Sequence, residues 1–335
     1  MAEAKSRGKI LVVGGAGYIG SQMVLALQAA GFEPLVLDNL SKGHRNAVME
    51  AELIVGDMAD KALLASIFKA HTISAVMHFA SFIEVAESVS EPIRYYQNNV
   101  AGTLTLLETM LQHGVRTFIF SSSAAVYGEP QMTPIDESHP LLPINPYGRS
   151  KRMIEEILSD AAVSDGLQYA SLRYFNAAGA DPKGRLGERH EPESHLIPII
   201  LQVAAGSRAA LTIYGNDYPT EDGTCVRDYV HVSDLCDAHL LVLRALQQGQ
   251  SSLVYNLGTG HGYSIQQMID AARRVTGHAI PVKMGQRRQG DPAILVADPS
   301  RAVRELGWKP HYANADTIIQ HAWQFARMLS TKQER

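Results

Sequence analysis

The segment KILVVGGAGYIG, from Lys9 to Gly20, constrains this chain more than any other. A short apolar run enters a turn with glycines at 14, 17 and 20, and a helix-like pattern follows from Ser21 to Ala30, ended by Gly31. Glycine permits the tight turn and removes the Cβ that would keep backbone away from a pyrophosphate. The start of the next helix adds free N–H groups and the positive end of a dipole. Glycine-rich turns are common, so context matters. The next apolar run, PLVLDNL, ends in Asp38, about 20 residues past the turn, where an acid takes the hydroxyls of an adenosine ribose. Such an acid repels a 2′-phosphate and favours NAD over NADP, although Arg45 stands nearby. The alternative role for Asp38 is to cap the strand end.

The pattern repeats downstream. AELIVGD reads as a strand, KALLASIFKA as a helix, SAVMHFA as a strand, NVAGTLTLLETMLQHG as a helix, and RTFIFSSS and YASLRYFN as strands. Apolar runs alternating with helices mean βαβ units, a parallel sheet and helices over both faces. The expected class is α/β: a doubly wound parallel (Rossmann) sheet with a smaller C-terminal α/β lobe. Past Asn176 the texture changes to AAGADPKGRLGERHEPESH, a long loop rich in Gly, Pro and charge. SLVYNLGTG then looks like a strand returning to the first sheet. The predicted partition is a dinucleotide-binding domain over 1–176, with 228–258 returning to it, and a second domain over 177–227 and 259–335.

Bulk properties exclude several function classes. Among 335 residues, 46% are hydrophobic and 19% charged, with a net charge of -4. That balance supports a large core and offers no basic surface for nucleic acid or anionic lipid. Two cysteines, Cys225 and Cys236, read as free buried thiols. The opening MAEAKSRGK is polar, unlike a signal peptide, and no apolar run reaches the ~18 residues of a membrane span. A cytoplasmic globular protein is expected.

A nicotinamide site needs a group that moves a proton as the hydride moves. NPYGRSK places Tyr147 four residues before Lys151, with Asn145 suited to an N-cap and Pro146 to the first helical position. The pair shares one helix face. A free phenol has a pKa of ~10, so bringing it to about 7 takes roughly 4 kcal/mol of preference for the phenolate. An ammonium and a nicotinamide cation in a low-dielectric cleft can supply that. The serines of FIFSSSAAVYG end a parallel strand where doubly wound folds bind ligands, and Ser123 can relay the proton. Taken alone, a Tyr–x–x–x–Lys match is more often surface decoration; with the glycine turn, Asp38 and the strand-end serines it reads as a catalytic set.

The set GGAGYIG, SSSAAVYG and YGRSK resembles the extended short-chain dehydrogenase/reductases. More narrowly, HFA, YYQNNVAGT, LRYFNAAGA, YGNDYPTEDGTCVRDYVHVSDL, YNLGTG and RRQGDPA resemble the UDP-glucose 4-epimerase family, over about Lys9 to Trp308. The resemblance implies an NAD-dependent isomerase with Ser123, Tyr147 and Lys151 as its catalytic residues. Tyr147 would deprotonate the sugar 4-hydroxyl, the keto sugar would turn over, and hydride would return to its other face. The same likeness puts Gly14, Gly17, Tyr18, Ile19, Gly20, Asp38, Asn39, Asp57, Met58, Phe79, Ala80, Asn98, Ser121, Tyr174 and Phe175 along the NAD, beside Tyr147 and Lys151. It puts Asn176, His195, Leu196, Thr212, Tyr214, Arg227, Arg288 and Asp291 on the UDP-sugar side, with Ser123 and Tyr147. The second domain would therefore bind the UDP-sugar.

Guanidinium forks suit a diphosphate, which agrees for Arg227 and Arg288. At His195, where asparagine is more familiar, a packing role competes. Two departures stand out: Ile83 replaces a lysine that helps hold NAD in many relatives, and Leu295 lies between the bulky and small residues that exclude or admit N-acetylated sugars. Epimerases of UDP-GlcNAc/GalNAc or UDP-xylose/arabinose therefore remain alternatives, as does a non-catalytic NAD sensor, against which Tyr147 and Lys151 argue. A 4,6-dehydratase is disfavoured because Ser122 and Ala124 flank Ser123 where an Asp–Glu pair would be needed. The likeness also implies a homodimer through the helix of NNVAGTLTLLETMLQ and the helix following Tyr147.

Overall fold

In chain order the elements are β1 (Lys9–Val13), α1 (Tyr18–Ala29), β2 (Glu33–Asp38), β3 (Glu52–Val55), α2 (Lys61–Ala70), β4 (Ile73–His78), α3 (Val85–Ser90), α4 (Pro92–Tyr95), α5 (Thr103–Gln112), β5 (Thr117–Ser123), α6 (Pro146–Asp165) and β6 (Gln168–Tyr174). There follow β7 (Asn176–Ala178), α7 (Leu196–Ala204), β8 (Leu211–Tyr214), β9 (Val226–His231), α8 (Val232–Gln247), β10 (Leu253–Leu257), β11 (Gly262–Ser264), α9 (Ile265–Thr276), β12 (Val282–Gly285), β13 (Ile294–Leu295), α10 (Ser300–Leu306) and α11 (Ala315–Gln333). The structure, a computed structural model, describes residues 8–250, 252–288 and 291–333. The polar N-terminal tail and residues 289–290 of the RRQGDPA segment lie outside them.

The chain divides into two compact units. The first comprises Met1–Gly128, Pro143–Arg173 and His239–Tyr255; the second comprises Glu129–Leu142, Tyr174–Ala238 and Asn256–Arg335. Strand β9 and the start of α8 thus lie in the second unit.

The main sheet has seven strands in the order β10-β6-β5-β4-β1-β2-β3, and the pairings from β5 across to β3 are parallel. This is the doubly wound α/β architecture. The chain runs outward from β1 to β3 and then returns to β4 on the other side of β1. The switch point therefore lies at the carboxyl ends of β1 and β4, where such sheets take their ligands. Leu11, Leu35, Val76, Phe118 and Phe120 from the strands pack with Leu106 and Leu107 of α5 and Ile154 and Leu158 of α6 in one buried cluster. Covered strands explain the continuous apolar runs.

Two helices differ from expectation. α1 begins at Tyr18, three residues earlier than the pattern predicts, because Gly17 is the N-cap and Gly20 is already helical. Here the third glycine serves packing: a Cβ at Gly20 would collide with Gly14 O. The helix expected over NVAGTLTLLETMLQHG opens as a π-helical stretch, Tyr96–Gly102, before tightening into α5. Such bulges often mark functional sites, and this one carries Asn98 and Asn99.

In the second unit, β9 pairs with β7, β11 and β13, and β8 pairs with β12. Ile197, Ile200 and Leu201 of α7 pack with Met268 and Ile269 of α9 and Ile318 and Ile319 of α11. Much of VRDYVHVSDL is structural. Buried Asp228 accepts hydrogen bonds from Thr259 N, Thr259 Oγ1, Gly260 N and Ala297 N. Asp234 accepts from His311 N and Tyr312 N.

Candidate functional site

The glycine turn leaves α1 uncapped by any side chain. Gly14 has φ 82°, and a Cβ there would lie 2.5 Å from Ala80 N, so the turn after β1 lies directly against the end of β4. Phe79 N donates to Val13 O at 2.7 Å, locking the two strand ends together. Gly17, Tyr18 and Ile19 are half-buried around the opening of α1. Buried Asp38 stands at the end of β2; its carboxylate accepts from Ala16 N at 2.9 Å and Leu40 N at 2.8 Å. It therefore buttresses the turn, the structural role the sequence left open beside the ribose role. Exposed Asn39 donates to Asp57 Oδ2 at 2.8 Å, tying the ends of β2 and β3. Met58 is buried, and a Cβ at Gly102 would meet its methyl carbon. Asn98 donates to Asn99 Oδ1 at 2.8 Å.

The candidate proton-handling groups converge at the end of β5. Asn145 Oδ1 accepts from Gly148 N at 2.8 Å and Pro146 opens the helix, so α6 starts as predicted. A Cβ at Gly148 would strike Ala125 O. Glycine there lets α6 approach the turn after β5 and sets the Tyr147 hydroxyl in hydrogen-bonding reach of Ser123. Lys151 is buried; its Nζ donates to Ser81 Oγ at 2.8 Å and to Ser121 O at 2.7 Å, and lies 5.8 Å from the Tyr147 ring centroid.

Without the cofactor, burial dominates the electrostatics of the pair. Burial pushes the Tyr147 phenol above its ordinary range, opposed by the Ser123 hydrogen bond. Burial pulls Lys151 down to about 7, opposed by the charge of Glu155. In the chain alone the balance favours the neutral phenol.

Sequence reasoning missed the support for this set. Asn99 accepts from Phe82 N and donates to Phe82 O and Ser150 Oγ, fastening the segment that carries Ser81 to α6. Buried Glu155 takes a bidentate contact from Arg173, at 3.0 and 2.6 Å, and a 2.6 Å hydrogen bond from Ser122 Oγ, while Arg173 donates to Tyr127 OH at 2.8 Å. The signals were present: Glu155 continues the Tyr147–Lys151 face by one more turn, and Arg173 interrupts an apolar strand.

The remaining candidates belong to the second unit. Arg227, nearly buried on β9, forms an ion pair with Asp291 and donates to Val226 O at 2.7 Å. The Arg288 guanidinium lies 4.1 Å from the centroid of the exposed Tyr214 ring. Thr212 pairs with Lys283 across β8 and β12, and Leu295 registers against Arg227 across β13 and β9. Phe175 N donates to Leu257 O, Tyr174 is buried, and Asn176 opens β7. His195 is the N-cap of α7 and Leu196 its first residue. His195 Nδ1 lies 2.8 Å from Glu188 Oε1.

A family described as "NAD dependent epimerase/dehydratase family" matches residues 10–258, which hold the glycine turn, the Tyr–Lys helix and the strand-end serines. The chain belongs to that family. Among epimerases, one of Halalkalibacterium halodurans named UDP-glucose 4-epimerase is 52% identical over 316 residues, covering 94% of this chain and 95% of that protein. A crystal structure of UDP-glucose 4-epimerase from Brucella ovis in complex with NAD superimposes with TM-score 0.92 at 48% identity, covering 95% of this chain and 98% of that one. The epimerase from Bifidobacterium longum, in complex with NAD+ and UDP, superimposes with TM-score 0.91 at 39% identity over 96% of this chain and 98% of that one. The turn fits NAD: side chains are excluded from it, the helix start is uncapped, and the acid at the end of β2 lies beside it.

Proposed function

We propose that this chain interconverts UDP-glucose and UDP-galactose by inverting the sugar 4-hydroxyl through a transient 4-ketone. It is an NAD-dependent isomerase. The observation that carries the reading is a buried Lys151 held by Ser81 and Ser121 at the carboxyl end of β5, 5.8 Å from the Tyr147 ring, in an epimerase-family chain. Bound NAD would supply the hydride acceptor for C4 and the donor for the other face of the turned ketone. Tyr147 takes the 4-hydroxyl proton and returns it, and Ser123 hydrogen-bonds the reacting oxygen. Lys151 is anchored by Ser81 and Ser121 and adds positive charge near the phenol.

The first unit would hold NAD through the turn at Gly14, Gly17, Tyr18, Ile19 and Gly20, through Asp38 and Asn39 at the ribose, and through Asp57 and Met58 near adenine. Phe79, Ala80, Asn98, Ser121, Tyr174 and Phe175 would complete the cofactor contacts. The second unit would take the UDP moiety. Arg227 and Arg288 suit the diphosphate, and Asp291, now paired with Arg227, suits ribose hydroxyls once phosphate competes for that arginine. Asn176, His195, Leu196, Thr212 and Tyr214 would line the rest.

We infer a homodimer, supported by the apolar side chains of Leu104 on α5 and Met153 on α6, which are 44% and 40% exposed. A cytoplasmic location accords with two free, buried cysteines, Cys225 and Cys236. Among the described residues, no helix is long and apolar enough to cross a membrane.

Side-by-side assays with UDP-galactose, UDP-N-acetylgalactosamine and UDP-arabinose test the substrate. UDP-galactose is expected to turn over fastest. Comparable rates for the acetamido sugar would replace the strict hexose reading with a broader one, in line with the intermediate size of Leu295. Failure to epimerise any of the three, with NAD bound, would overturn the proposal.

A further inference from the structure

The loop that delivers His195 to α7 contains a second cluster of titratable side chains, of which the epimerase reading uses only His195. Glu188, His190, Glu193 and His195 each offer one ligand atom, and the four atoms lie within 4.8 Å of one another. His195 Nδ1 lies 2.8 Å from Glu188 Oε1 and 3.6 Å from Glu193 Oε1. His190 Nδ1 lies 3.4 Å from Glu188 Oε1 and 3.9 Å from Glu193 Oε1. The two imidazoles meet edge-on, with centroids 5.0 Å apart and planes at 61°. Glu188 and Glu193 are 10% and 5% exposed, and His190 Nδ1 is buried without a hydrogen-bond partner.

These distances have a simple geometric meaning. Bonds of ~2.0–2.1 Å from zinc to imidazole nitrogen and carboxylate oxygen put neighbouring ligand atoms of a tetrahedron about 3.3 Å apart. Three of the four imidazole–carboxylate separations lie 0.1–0.6 Å above that edge and one lies 0.5 Å below it. We propose that Glu188, His190, Glu193 and His195 form a four-ligand site for a divalent transition metal of the zinc type. Two imidazoles disfavour magnesium and calcium, which prefer six or more oxygens. Four protein ligands leave no open position, so the role is structural.

The surrounding chain explains what the ion does. Residues 180 and 187 pair as an antiparallel bridge, and the Arg185–Asp181 ion pair closes the loop between them. A Cβ at Gly187 would overlap the Phe325 ring of α11, so the base of this loop lies directly on that helix. Glu188 follows that anchored base, and His195 caps α7. The ion joins the two across a segment with no regular structure, fixing the start of α7. Ligation through Nδ1 leaves His195 Nε2 as an N–H donor; the side chain is 39% exposed, so that N–H can reach a ligand. The site stands or falls independently of which sugar the enzyme uses.

The test is metal content and cobalt spectroscopy on the untagged full chain. Elemental analysis after gel filtration in chelator-free buffer is expected to show one zinc per chain. Cobalt added to chelator-treated protein is expected to give the intense visible bands of a tetrahedral ion, saturating at one equivalent. His190→Ala and Glu193→Gln are each expected to weaken cobalt binding by at least ~100-fold. Zinc is also expected to raise the unfolding temperature of the wild type and not of Glu193→Gln. A wild-type chain that retains neither ion through gel filtration overturns the site, leaving an imidazole–carboxylate ion-pair cluster. So does a cobalt spectrum unchanged in both variants. If His190→Ala does not fold, Glu193→Gln and the wild-type stoichiometry still decide.

Discussion

The Lys151 ammonium lies 5.8 Å from the centroid of the Tyr147 ring and donates its hydrogen bonds elsewhere, to Ser81 Oγ and Ser121 O. Lysine and tyrosine share a helix face, yet the lysine is tied to the sheet rather than to the phenol. Burial disfavours charge on both: the phenol is pushed up and the ammonium down to about 7. If Tyr147 is the base, as proposed, a positive nicotinamide ring beside it would supply the missing stabilisation of the phenolate and couple the base to the oxidised cofactor.

That coupling is open to direct measurement. Binding of NAD+ at mildly alkaline pH is expected to raise the tyrosinate absorbance of the protein by one residue, and Tyr147→Phe is expected to lose that increment. The same variant is expected to reduce turnover by at least ~100-fold, the scale of a lost general base, with UDP affinity nearly unchanged. Near-normal turnover would remove Tyr147 from the mechanism.

Lys151 also sets a pH dependence of stability. Its folded value of about 7 lies below the ordinary 10.5, so between these two pH values the unfolded chain holds a proton the native chain has lost. Stability of the NAD-free protein is therefore expected to rise with pH through this window, by up to ~1.4 kcal/mol per pH unit from this group. Urea unfolding across the window should show that slope, reduced in Lys151→Met. Equal slopes in the two proteins would mean that Lys151 titrates in the fold as it does in the unfolded chain.

The Arg173–Glu155 pair is buried, bidentate and shared with Ser122 and Tyr127. Removing one partner strands the other charge. Glu155→Leu is expected to cost about 3–5 kcal/mol, and replacing Arg173 by Met in the same chain to recover a large part of it. Glu155→Leu also removes the charge that holds Lys151 up, so the lysine should titrate lower still. Chemical denaturation of the single and double variants reads the coupling.

A methyl group at Gly20 meets Gly14 O inside the turn. Gly20→Ala is expected to displace the start of α1 and lower NAD affinity at least ~10-fold, a change of ~1.4 kcal/mol or more. Isothermal titration with NAD+ checks it; unchanged affinity would show that the turn can yield.

The parallel sheet, the glycine turn and the capped start of α6 were legible because each rests on local rules. A buried strand is a run of apolar residues, a phosphate turn needs glycine, and Asn–Pro opens a helix. The early start of α1 was hidden because Gly20 reads as a helix breaker until its close approach to Gly14 is seen. Asn99, Glu155 and Arg173 were passed over because their partners, Phe82, Ser150, Ser122 and Tyr127, are 17 to 51 residues away in sequence.

By itself, then, the order of residues determined which elements form, that they alternate into a parallel sheet, and which side chains are candidates for proton chemistry. Only the tertiary structure decided where the Lys151 charge is spent, that Asp38 braces the glycine turn, and that four ligand atoms near α7 converge. Local sequence sets backbone preference over a few residues. Desolvation and long-range hydrogen bonds depend on which distant segments pack together, and those terms govern whether a buried tyrosine or lysine is charged.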